Sequence, residues 1–198
     1  MHKTIVFVTN YIFRRLIMSS NHNNEACQIQ LSGIKFITFT AIFIALTYVF
    51  TAFINIRLPI AANGGLVHLG NVPLFLCAII FGKKCGALAG GIGMGLFDLL
   101  SGWTAWAPFT LIIVALMGFA VGAITKKHRG ILYDVLAIFV ACIIKVVGYY
   151  IAEGFIYGNW LAPVSSIPGN LVQIGVAAVI VLLIVEKLRS VALKMITA

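Results

Sequence analysis

The sequence predicts an all-α fold, an integral membrane bundle of six transmembrane helices with both termini in the cytoplasm. Three observations carry this. The chain of 198 residues is 62% hydrophobic and only 10% charged, with a mean hydropathy of +1.09, whereas a soluble domain carries about 25% charged residues. Apolar stretches recur along it, enough for about six spans of roughly 20 residues each. Basic residues gather in every second connection, the pattern by which a multi-pass chain marks its cytoplasmic side. The net charge of +9 is therefore read as membrane orientation and not as nucleic-acid binding.

Taken in order, residues 1–32 form an N-terminal cytoplasmic extension, apolar with Lys3, Arg14 and Arg15 at first and then polar through Asn21, Asn23 and Asn24. Its basic residues follow the apolar run, the wrong order for a cleaved signal. Residues 33–198 form the six-helix domain. The spans fall at about 33–54, 66–82, 85–100, 105–125, 131–156 and 169–186, followed by a basic tail. Of the 14 Lys and Arg, 12 lie before or at the start of the first span, in the second and fourth connections, or in the tail; the exceptions are Arg57 and Lys145. The second span is the shortest. Cys27, Cys77, Cys85 and Cys142 form no Cys-x-x-Cys pair and read as reduced, packed thiols.

The third span is dense in glycine, with Gly82, Gly86 and Gly90, then Gly91 and Gly95, at four-residue spacing. Each glycine costs a soluble helix roughly 1 kcal/mol against alanine. In lipid the backbone must pair with itself, so the helix persists and small residues let neighbours approach. Asp98, near its end, is the sole carboxylate between Asn63 and Gly122.

Polar residues inside apolar spans are the candidates for function, because an ionisable group at that depth is costly and faces a cavity or a partner. Lys145 sits near the middle of the fifth span, and Tyr149 and Glu153 follow at i+4 and i+8 on the same face. Asp98 and Lys145 lie at similar distances from the cytoplasmic starts of two outward-running spans, so their side chains reach a similar depth. His68 opens the second span. On the outer side come Trp103, Trp106, Tyr157 and Trp160, and the amides Asn63, Asn159, Asn170 and Gln173. Together these residues predict a small polar pocket opening outward, walled by aromatic rings, for a planar solute with hydrogen-bonding groups. The competing reading makes Lys145 and Asp98 a structural pair, the tryptophans an interfacial belt and His68 a packing histidine.

At this point the chain resembles the substrate-binding S components of energy-coupling factor vitamin transporters. Ala41 and Ala45 in the first span match that family's Ala-x-x-x-Ala surface. The start Gly64-Gly65-Leu66-Val67-His68-Leu69-Gly70-Asn71 and the glycine-rich third span look like the branch of predicted hydroxymethylpyrimidine and pyridoxine transporters. The resemblance covers about residues 33–190. It implies a prokaryotic multi-pass cell-membrane protein that binds a vitamin from outside and joins a transmembrane coupling subunit through Ala41 and Ala45. Two cytoplasmic ATPases then drive delivery. Pantothenate and thiamine stay open as substrates. The chain carries no P-loop motif, so ATP is expected to be hydrolysed by the partners, and no cofactor is expected in the chain itself. An intramembrane enzyme with Asp98, His68 or Glu153 as acid or base is the alternative, although no two of these groups have recognisable catalytic spacing. A structural protein or small channel is the third reading, and it leaves Lys145 without a purpose.

Overall fold

The computed structural model describes residues 28–57, 66–126 and 130–197. These hold six α-helices, with a two-stranded ribbon between the first and second: α1 Gly33–Phe53, β1 Asn55–Arg57, β2 Leu66–His68, α2 Asn71–Phe81, α3 Lys83–Leu100, α4 Ala107–Ile124, α5 Ile131–Tyr157, a 3-10 turn Ala162–Ser166, and α6 Ile167–Thr197. Four segments are long and apolar enough to cross a bilayer: α1, α4, α5, and the 3-10 turn with α6 (Ala162–Ile196).

The second helix is the centre of the bundle. All eleven residues of α2 are buried, as expected of a helix that is hydrophobic all round. Leu74, Phe75, Ile79 and Ile80 have no accessible surface. They pack among Met94, Val114, Met117, Val181 and Val185 of the surrounding helices. At 1.5 Å per residue α2 is only about 16 Å long. The sequence reading begins this span at Leu66; the chain instead runs as β2 to His68 and turns into helix at Asn71. The ribbon is antiparallel, pairing Asn55 with His68 and Arg57 with Leu66. At the other end Gly82 adopts φ +91°, a conformation that side-chain-bearing residues rarely take. Its N–H bonds Ala78 O at 3.0 Å as the chain reverses into α3.

The glycines of α3 seat it against two neighbours. A Cβ on Gly93 would lie 2.7 Å from Thr47 Cβ of α1, and one on Gly91 would lie 2.8 Å from Leu111 O of α4. Close packing of this kind replaces the hydrophobic drive that lipid cannot supply. On α1 the buried face is Thr40, Phe43, Thr47 and Thr51, at i, i+3, i+7 and i+11. Ile34, Ile37, Ile42, Leu46 and Val49 stay exposed, and so do Ala41 and Ala45.

Two boundaries differ from those read in the sequence. The helix α6 does not stop near residue 186 but continues through the basic tail to Thr197. Val185, Arg189 and Ala192 keep one face of it buried, Arg189 pairs with Glu186 at 3.1 Å, and Lys35 Nζ donates to Ile196 O at 2.8 Å. A cation on the last carbonyls of a helix also opposes its dipole. The folded body also begins before Gly33. Ile29 N–H bonds Ile80 O at 2.8 Å, and Gln28 Nε2 donates to Gly122 O at 2.7 Å and Thr125 Oγ1 at 3.1 Å. Thus residues 28–32 dock on the basic end of the bundle, while residues 1–27 lie outside those described.

Candidate functional site

A cavity of about 100 Å³ opens at the end of the bundle away from Lys83 and Lys84. Its floor comes from mid-helix positions. Lys145, halfway along α5, is 2% exposed, and its ammonium donates to Gln173 Oε1 of α6. Asn71, at the first turn of α2, donates to the same oxygen at 3.1 Å. Gln173 Nε2 in turn donates to Leu66 O of the ribbon at 3.1 Å. One buried amide thus ties α5, α2 and the ribbon together at the level of the lysine. A buried ammonium without such acceptors would be strongly unfavourable.

Asp98 faces this lysine from α3. Each feels the other's charge, yet among the described residues no direct ion pair joins them. Asp98 shares the cavity wall with Thr110 of α4, whose Oγ1 accepts from Tyr149 OH at 3.0 Å. The Tyr149 ring lies under Lys145 Nζ, 5.3 Å from centroid to nitrogen. Further out, Glu153, 5% exposed, accepts from Ser166 Oγ at 2.8 Å. Trp103 and Trp106 pack edge to face at 5.2 Å, and Trp106 packs on Tyr157 at 5.9 Å, the geometry that ring quadrupoles favour.

His68 reaches the cavity from the ribbon, outside the helices. Gly70 N–H donates to its Nδ1 at 3.2 Å. Accepting at Nδ1 leaves the proton of the neutral ring on Nε2.

The structure brings His68, Asp98, Trp103, Trp106, Lys145, Tyr149, Glu153 and Asn170 to the wall of one cavity. Trp160 is not among them, which corrects the sequence expectation. It is 51% exposed and lies on the outer surface of α5, over Gly154 and against Tyr150 and Phe155. Asn63 lies outside the described residues. Gln173, named in the sequence among the outer amides, lines the wall as well, and so do Thr110 and Ser166, which the sequence reading did not single out.

A cavity that gathers one ammonium, two carboxylates and an aromatic wall inside an apolar helical bundle belongs to a membrane protein that holds a small polar solute. The comparisons with known proteins agree. A family model described as ECF-type riboflavin transporter, S component, matches residues 32–190, and the chain belongs to this family of S components. It is 31% identical over 148 residues to the thiamine precursor transporter HmpT of Lactococcus lactis subsp. cremoris, covering 75% of this chain and 84% of that protein. It is also 34% identical over 103 residues, 52% of this chain and 69% of the other, to an uncharacterized protein from Pyrococcus woesei. The protein is therefore a substrate-binding subunit of a vitamin or vitamin-precursor transporter in a prokaryotic membrane, and not an enzyme.

Proposed function

We propose that the chain captures a small planar vitamin precursor of the hydroxymethylpyrimidine kind from outside the cell. It then hands the solute inward with a transmembrane coupling subunit and two ATPases. The observation that carries this is the cavity itself, which places Lys145, Asp98 and Glu153 around a space suited to one ring. A ring nitrogen would accept from Lys145, an exocyclic amine would donate to a carboxylate, and Trp103 and Trp106 would cover the ring face. A flavin, with three fused rings and a sugar-alcohol chain, is large for about 100 Å³. ATP is hydrolysed by the partners, and the chain needs no cofactor of its own. The test is mass spectrometry of the small molecule that co-purifies with the protein, followed by calorimetry. Hydroxymethylpyrimidine is expected to bind more tightly than pyridoxine or riboflavin. A preference for either of the latter would overturn the substrate assignment.

In this reading all six helices serve as crossings and both termini are cytoplasmic. The short α2 makes its crossing together with the ribbon. Irregular backbone at membrane depth is tolerated where protein buries it or it lines a cavity, and Gln173 satisfies Leu66 O there. In a cysteine-free background, a membrane-impermeant maleimide added outside intact cells is expected to modify Asn159→Cys and to spare Lys126→Cys. The opposite pattern would reverse the orientation.

A further inference from the structure

A second cavity, of about 550 Å³, lies at the opposite end of the molecule. We propose that it holds the headgroup of an anionic phospholipid, with an acyl chain lying along the exposed face of α1. Lys83, Lys84 and Lys126 stand on its rim, no carboxylate lines it among the described residues, and Phe36, Ile37 and Phe81 form its apolar side. Lys84 and Lys126 are exposed. Lys83 is held in place by its ammonium, 4.8 Å above the Phe119 ring. Among the described residues none of the three has an ion-pair partner.

Depth and shape select a lipid over a free anion. The groove sits where α1 begins, α2 ends, α3 begins and α4 ends, at the level where spans meet lipid headgroups. Basic pockets between helices at that level attract anionic headgroups. Ile37, 67% exposed, lies on the apolar side of the groove where α1 enters the bilayer, and offers an acyl chain an apolar contact that inorganic phosphate would not use. The chain's own residues 1–27 are a poor occupant on charge. They carry Lys3, Arg14 and Arg15 against Glu25, a net of +2, the same sign as the groove.

The test titrates detergent-purified protein with phosphatidylglycerol and counts bound lipid by native mass spectrometry, with phosphatidylcholine and inorganic phosphate as comparison ligands. Phosphatidylglycerol is expected to bind preferentially and to survive an excess of phosphate. Each lysine should contribute roughly fivefold, so the triple variant K83Q/K84Q/K126Q should bind it about a hundredfold more weakly. The charge-retaining K83R/K84R/K126R variant should bind like wild type, and solute binding at the far cavity should survive in both variants. Equal binding of the two lipids, full competition by inorganic phosphate, or unchanged lipid binding by the glutamine variant would each overturn the proposal. So would a glutamine variant that keeps its lipid but loses the coupling subunit, because a protein would then be the occupant.

Discussion

Lys145→Met is expected to weaken solute binding by at least about tenfold, roughly 1.4 kcal/mol, while the protein stays folded. The ammonium is buried and its acceptor is a neutral amide, Gln173 Oε1. A solute atom that takes part of this donation gains a charge-assisted hydrogen bond in a dry site, of the kind worth about 1.5–3 kcal/mol. Asp98→Asn should have a similar effect, since Asp98 lines the same cavity and feels the same charge. The double variant should lose less than the sum of the two, because groups that meet through one solute are coupled. Calorimetry on detergent-purified variants reads all three affinities, with size-exclusion profiles and melting temperatures as the folding control. Wild-type affinity in both folded single variants would mean that these charges serve the bundle and not the solute.

The second large effect is expected on the exposed face of α1. Ala41→Trp or Ala45→Trp should abolish co-purification with the coupling subunit and stop uptake, while the solitary protein keeps its affinity. Both alanines are exposed on α1, away from the buried face of Thr40, Phe43, Thr47 and Thr51. An indole there would stand on the exposed side of the helix and hold an approaching helix off by the width of a ring. Pull-down of the tagged chain with its partners, beside calorimetry on the chain alone, separates the two functions. Intact assembly in both tryptophan variants would remove these residues from the interface, and lost binding with intact assembly would place them in the solute's path.

The parts of this molecule that were legible in its sequence are those governed by helical repeat and hydropathy. Counting 1.5 Å per residue from the basic ends put Asp98 and Lys145 at one depth, and the i+4 and i+8 spacings carried Tyr149 and Glu153 to the same wall. What was not legible depends on how the chain bends between helices. Gly158, at φ +61°, turns the connection after α5 so that Trp160 falls back on Gly154 outside the cavity, and nothing in the residues Gly158-Asn159-Trp160 announces that direction. The strands Asn55–Arg57 and Leu66–His68 are three residues each, too short for an alternating pattern to stand out. The end of α6 was obscured by its charges. Lys187, Arg189 and Lys194 read as a tail, although their spacing also suits a helix leaving the membrane with one face still packed.

The burial of α2 bears on how the molecule is made. A helix of eleven residues, about 16 Å long, is too short to be inserted as a span by itself, and only the single residue Gly82 separates it from α3. The ribbon that precedes it stays incomplete for longer. Leu66 O and Asn71 wait for Gln173, and Lys145, already inserted with α5, waits for the same side chain. Gln173 lies on α6, which is made after both α2 and α5. The lysine thus lacks this acceptor until α6 is made, and the cavity is complete only when α6 docks.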